Sequence, residues 1–318
     1  MDVKKTLSNI GIVPVIAIDN ADNAVDLCRA LVAGGIPAAE ITFRTAAGQE
    51  SIRRVAKELP EVLVGAGTVI TPAQVDEAAA AGAKFVVSPG YYDDVVNRAN
   101  EIGMPVFPGC VNASDMMKAV NAGLDLVKFF PAEASGGIGM IKNFTSVFPL
   151  KFMPTGGITP KNLMDYLSND RIAACGGTWM VKKDMINACE WEKITGICKE
   201  SVKTMLGLSL AHVGINCENE EEAEKTAKTI CALFGFECKA GNSSIFAGSA
   251  VECMKTPYLG TRGHIAIGTN SVDRAVYHLS LQGVEFDEAT RKTDAKGNTK
   301  VIYLKGEFGG FAIHLMQR

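Results

Sequence analysis

Histidine is absent from a long opening stretch of this chain of 318 residues, because all four lie beyond residue 210. Chemistry in the earlier part must therefore rest on other acids, bases and nucleophiles. The asymmetry is also a first sign that the two halves of the chain do different work. Other absences narrow the field further. No apolar run approaches the roughly 20 residues that a membrane span needs. The opening Met1 to Asn9 lacks the apolar core of a signal peptide, and the nine cysteines never fall in a CxxC pair. A reducing cytoplasm is the expected compartment. With a formal net charge of -3 and both signs interspersed, there is no basic stripe to neutralise a phosphate backbone, which excludes nucleic acid as the expected partner. What is present is ordinary for a globular protein: 47% hydrophobic residues, and length enough for two domains at about 150 residues each.

One lysine is out of place. Leu126-Val-Lys128-Phe-Phe-Pro131-Ala-Glu133 sets it inside an apolar run that reads as a buried strand. An ammonium taken out of water loses solvation, and a neutral amine becomes available to attack a carbonyl, which is Schiff-base chemistry. Alternatively, its stem lies along apolar surface at a sheet edge while its head reaches water.

Short apolar runs recur at near-even spacing over residues 1–207: Val13–Ile18, Ala38–Thr45, Val62–Val69, Phe85–Gly90, Pro105–Gly109, Leu126–Phe130, Phe152–Gly157 and Ile172–Met180. Between them lie helical patterns such as Asn23–Ala33, Gly48–Leu59, Pro72–Ala81, Asp93–Ile102, Ala113–Ala122 and Pro160–Leu167. Alternating strand and helix argues for a parallel sheet, and eight units predict a (β/α)8 TIM barrel rather than a doubly wound open sheet. Reacting groups should then sit at the C-terminal ends of strands. In Glu40-Ile-Thr42-Phe-Arg44 the side chains alternate faces, so Glu40, Thr42 and Arg44 share one, with Arg44 about 13 Å further along toward the mouth at roughly 3.3 Å per residue. A structural ion pair is the other reading of these charges. Thr68 shares its face with Ala66, and the neighbouring glycines leave room for a ligand. Gly156 and Gly157 after the seventh strand, and Gly177 with Thr178 in the eighth, stand where barrels bind phosphate through converging backbone N–H groups. Cys110 is read as inert, because this half has no histidine to activate a thiol.

Glu40-Ile-Thr-Phe-Arg44-Thr45, Gly65-Ala-Gly-Thr68-Val, Ser88-Pro-Gly90, Lys128-Phe-Phe-Pro-Ala-Glu133, Pro154-Thr-Gly-Gly-Ile158 and Gly176-Gly-Thr-Trp179 together resemble the 2-keto-3-deoxy-6-phosphogluconate (KDPG) and 4-hydroxy-2-oxoglutarate (KHG) aldolases across residues 1–207. The resemblance implies a class I aldolase without cofactor, acting on a keto acid or phosphosugar acid and assembled as a trimer. It gives Lys128 the Schiff base and Glu40 the proton transfers. Arg44 would hold the pyruvate carboxylate and Thr68 a further substrate contact, while Gly156, Gly157, Gly177 and Thr178 would hold phosphate. The family usually has serine where Thr178 stands and a threonine near Asn112. The galactonate epimer of the substrate would use the same lysine.

Beyond Gly207 the pattern changes and repeats. Ala211-His212-Val-Gly-Ile215 returns as Gly263-His264-Ile-Ala-Ile267, and Ala250-Val-Glu252-Cys-Met254 returns as Ala312-Ile-His314-Leu-Met316. Two β-α-β-β-β modules over residues 208–318, a smaller α+β domain, resemble the glyoxalase and vicinal-oxygen-chelate fold. In that fold the four repeated positions ring a divalent metal, so His212, Glu252, His264 and His314 are candidate ligands for zinc, nickel or iron. The domain is expected either to carry a metal-dependent lyase or isomerase activity, or to bind a metabolite or subunit. His278, on the helical pattern Val272–Leu281, reads as a surface histidine.

Overall fold

The computed structural model describes residues 2–318. It divides into two compact units, one running through Met205 and the other from Leu206 to Arg318. Among the described residues no helix is long and apolar enough to cross a membrane.

The first unit is a curled parallel sheet of TIM-barrel-like form. Its strands are β1 (Ile12–Ile16), β2 (Ala38–Thr42), β3 (Leu63–Gly67), β4 (Val86–Val87), β5 (Val106–Phe107), β6 (Leu126–Phe129), β7 (Lys151–Pro154) and β8 (Cys175–Gly177). Parallel ladders run in the order β5-β4-β3-β2-β1-β8, and β6 pairs with β7. Bridges Gly109↔Lys128 and Thr155↔Gly176 carry the pairing from the end of β5 to β6 and from β7 to β8. Several strands are shorter than their apolar runs, and the reason is local. Pro89 follows β4, and Pro105 and Pro108 flank β5, each lacking the N–H that a ladder requires. The connection from β6 to β7 contains a helix, Gly137–Thr145, which a glycine-rich start conceals in the sequence. Other helices begin where expected, with Thr71 and Asn112 accepting hydrogen bonds from the backbone N–H three residues on. Phe85, Phe107, Phe129 and Phe152 are wholly buried. With the aliphatic faces of the helices they fill the space around the strands.

The second unit is a mixed eight-stranded sheet ordered β10-β11-β12-β9-β13-β16-β15-β14. Its strands are β9 (Ser209–Asn216), β10 (Cys238–Ala240), β11 (Ser244–Ala247), β12 (Val251–Met254), β13 (Gly263–Thr269), β14 (Phe286–Thr293), β15 (Thr299–Leu304) and β16 (Phe311–Gln317). Helices Glu220–Phe234 and Val272–Ser280 follow β9 and β13, capped by Asn219 and Ser271, so each half reads β-α-β-β-β. β9 and β13 meet antiparallel at the centre, while β12 and β16 flank them in parallel. Cys231, on the last turns of the first helix, is joined to Cys238 on β10, a wider spacing than a CxxC pair has. The reading of His278 as a surface residue is corrected. Val272, Ala275 and His278 form the buried stripe of their helix, three residues apart and hence on one face, and His278 is 2% exposed.

Close packing in the first unit leads to a prediction at Gly34, where a Cβ would lie 2.3 Å from Cys198 Cβ and 3.1 Å from Thr195 O. Gly34→Ala must push the helix Trp191–Leu206 away from Ala24–Ala33, and should cost about 1–3 kcal/mol as overpacking. Chemical denaturation checks this; unchanged stability would mean that the contact relaxes freely.

Candidate active site and histidine cluster

Lys128 is the third residue of β6 and Glu40 the third of β2. Strand alternation turns both side chains inward, and there Lys128 Nζ donates to Glu40 Oε1 at 3.1 Å. The Lys128 side chain is 7% exposed and that of Glu40 0%. Glycine makes the room, since a Cβ on Gly67 would lie 2.4 Å from Glu40 Oε1. Lys128 Nζ also stands 5.3 Å from the centroid of the Phe130 ring, within reach of a cation–π attraction. Glu40 Oε2 is buried with no hydrogen-bond partner, so one carboxylate oxygen is left free beside the amine.

A cavity of about 290 Å³ opens over this pair. Its lining contains all eight residues to which the family resemblance gives a role in the first unit: Lys128, Glu40, Arg44, Thr68, Gly156, Gly157, Gly177 and Thr178. Thr68 holds a left-handed backbone (φ 58), which for a β-branched residue costs on the order of 1–3 kcal/mol. Gly156 and Gly157 have φ 99 and 82, conformations that let successive N–H groups turn toward one point. Their loop is stitched to the lysine strand's extension, with Ala132 N–H donating to Thr155 O and Glu133 N–H to Gly156 O. Thr42, expected on the Glu40 face, is buried and donates to Ile16 O at 2.8 Å, so it braces β2 against β1. Burial and the nearby Asp115 push the Cys110 thiol up to about 12, which leaves it protonated and unreactive.

Sequence reasoning missed Thr155. It lines the cavity, and its buried Oγ1 has no hydrogen-bond partner. The signal lay in Pro154-Thr155-Gly156-Gly157, where the paired glycines overshadow a hydroxyl at a strand end. Phe130 and Pro89, which also line the cavity, are apolar and gave no chemical signal.

In the second unit the register brings four side chains together. His212 pairs with Ala266 and His264 with Gly214 across β9 and β13. Glu252 flanks Gly214 and His314 flanks Ala266. His212 Nε2 lies 3.1 Å from His264 Nε2, and Glu252 Oε2 lies 3.1 Å from the first and 3.0 Å from the second. The three imidazoles offer donor nitrogens that all lie within 4.8 Å of one another. A Cβ on Gly214 would come within 2.1 Å of the His264 ring, so the small residue opposite is what admits the imidazole. Burial raises the Glu252 carboxyl, but hydrogen bonds from His212, His264 and Ser244 outweigh it and hold the group well below the usual carboxylate range. Burial, then repulsion from His264 and His212, push His314 down to about 4, so it is a neutral donor near pH 7.

Comparison with known proteins bears on the first unit. The family model "KDPG and KHG aldolase" matches residues 3–197. A KHG/KDPG aldolase of Escherichia coli strain K12 is 41% identical over 193 residues, covering 60% of this chain and 91% of that protein. The KDPG aldolase of Legionella pneumophila, solved with pyruvate captured as a covalent carbinolamine, is 38% identical with TM-score 0.61, covering 63% of this chain and 98% of that one. That of Zymomonas mobilis ZM4, solved with 3-phosphoglycerate, is 40% identical with TM-score 0.58, covering 63% and 94%.

Proposed function

The chain belongs to the KDPG and KHG aldolase family, and from that premise we propose that it is a class I aldolase cleaving 2-keto-3-deoxy-6-phosphogluconate to pyruvate and glyceraldehyde 3-phosphate. We include 4-hydroxy-2-oxoglutarate as a second substrate, and a cytoplasmic homotrimer as the working form. The observation that carries the reading is the buried pair of Lys128 Nζ and Glu40 Oε1 at 3.1 Å, set under a cavity that also holds Arg44. Loss of a proton to water frees the lysine lone pair. Nζ then adds to the C2 carbonyl, water leaves and an iminium forms. A base removes the C4 hydroxyl proton, the C3–C4 bond breaks, and its electrons pass to the iminium nitrogen as an enamine. Glyceraldehyde 3-phosphate departs, C3 is protonated, and hydrolysis releases pyruvate and restores the lysine. Glu40 is the base we assign. Arg44 suits the carboxylate end through its two-pronged guanidinium, and the loops of Gly156, Gly157, Gly177 and Thr178 suit the phosphate end. We favour the gluconate over the galactonate epimer, because the Legionella and Zymomonas relatives above carry the KDPG name.

For the second unit we propose a glyoxalase-like module whose His212, Glu252, His264 and His314 hold a divalent ion of zinc, nickel or iron. The spacing of three donors fits. Donors bound at roughly 2.1 Å stand about 3.0 Å apart at right angles and about 3.4 Å apart in a tetrahedron, close to the 3.0 and 3.1 Å among Glu252, His212 and His264, and the His314 nitrogen completes the set within 4.8 Å of the other two imidazoles. A bound ion would polarise an oxygen ligand and make a bound water more acidic. Since His314 replaces a second carboxylate, the proposal carries weak or absent glyoxalase activity. The aldolase reaction, whose electron sink is the iminium, is indifferent to chelators.

Four outcomes are expected. Borohydride reduction in the presence of pyruvate should add a three-carbon mass at Lys128. Glu40→Gln should keep that trapping yet lose roughly 100-fold in turnover; a label elsewhere, or unchanged turnover, removes the assignment. The sugar acid without its phosphate should be cleaved far less efficiently than the phosphorylated one, and equal efficiency would sink the phosphate loops. Elemental analysis should find stoichiometric metal in the parent and none in a His212→Ala, His264→Ala double variant; a parent without metal reduces this unit to a packing or binding module.

A further inference from the structure

Glu252 has one oxygen facing the histidines and one that does not. Oε2 contacts His212 and His264, whereas Oε1 accepts from Ser244 Oγ at 2.6 Å. Ser244 sits on β11, 5% exposed, and its register partner on β12 is Met254. The other half of the sheet shows what this arrangement is for. The counterpart of Met254 is Met316, whose partner is Val301, so the residue equivalent to Ser244 is a valine. Likewise Phe246 opposite Glu252 matches Tyr303 opposite His314. At this position a hydroxyl therefore stands in the module whose donor is a carboxylate, and an apolar side chain in the module whose donor is an imidazole.

A carboxylate binds through one oxygen or through both, and an oxygen that already accepts a hydrogen bond has one of its lone pairs taken. With Oε1 engaged by a buried hydroxyl, Oε2 is the oxygen favoured for an ion. We propose that Ser244 is a positioning residue which holds Glu252 in a one-oxygen mode toward a divalent ion and so sets the coordination number at the cluster; this rests on the metal reading above. Hydrogen bonds to ligating groups are worth about 10–100-fold in metal affinity, and that is the expected size of the effect.

The experiment uses the full-length protein, stripped with a chelator and titrated with Co²⁺ alone, reading stoichiometry, affinity and the visible absorption bands, which depend on coordination number. The parent should bind about one Co²⁺ per chain. Ser244→Ala should bind 10–100-fold more weakly with altered bands, and Ser244→Thr, which keeps the hydroxyl, should restore both. A merely structural role for the serine would lower the melting temperature of Ser244→Ala and leave the bands as in the parent, which overturns the proposal. Equal affinity and identical bands in Ser244→Ala also overturn it while leaving the metal reading standing. A parent that takes up no Co²⁺ overturns both. If Ser244→Ala does not fold, Ser244→Val, which installs the side chain of the equivalent position in the other half, must show the same altered bands, and parent-like bands there refute the role.

Discussion

A lysine and a glutamate facing each other in the barrel interior, 3.1 Å apart and nearly sealed from solvent, are the interaction on which the first unit depends. Desolvating two charges costs several kcal/mol per ion, and a well-packed apolar pair would often be as stable or more so. Such a pair is therefore weak evidence of stabilisation and better evidence of chemistry. Much of the neighbouring sequence answers to it. Gly67 has no Cβ because Glu40 fills that space, Thr42 braces the strand that carries Glu40, and Glu40 Oε2 and Thr155 Oγ1 are buried polar atoms of cavity-lining residues that no protein group satisfies.

The same logic makes part of the site legible in the order of residues alone. Lys128 stands out because charge inside an apolar run is rare, and the alternation of Glu40 and Arg44 follows from the period of a strand. Paired glycines at the seventh and eighth strand ends stand out because a backbone needs them to turn toward an anion. Thr155 stays hidden because a hydroxyl at a strand end is common and its significance lies in being left unpartnered, a property of packing. Thr68's left-handed backbone is likewise invisible, since nothing about threonine announces a conformation it resists.

Strand lengths show a second limit. Apolar runs of the kind Phe85–Gly90 and Pro105–Gly109 mark where a strand passes, but β4 and β5 each shrink to two residues because prolines at their edges withhold N–H groups. His278 shows a third. A histidine on an amphipathic helix is polar in the abstract, yet its place three residues after Ala275 and six after Val272 puts it on the inward stripe. Position within the period, more than residue type, decided its burial.

The central pairing of β9 with β13 places each histidine opposite a residue too small to obstruct it, His212 across from Ala266 and His264 across from Gly214. Neither half of the sheet holds the cluster alone: one contributes an imidazole and a carboxylate, the other two imidazoles. The donor set therefore exists only while the halves are in register. A slip of one residue along that seam would turn the side chains of one strand to the opposite face. The cluster is in this sense a lock on alignment, and any chain that kept its four donors but lost the small residues facing them would have the ingredients of the site without the site.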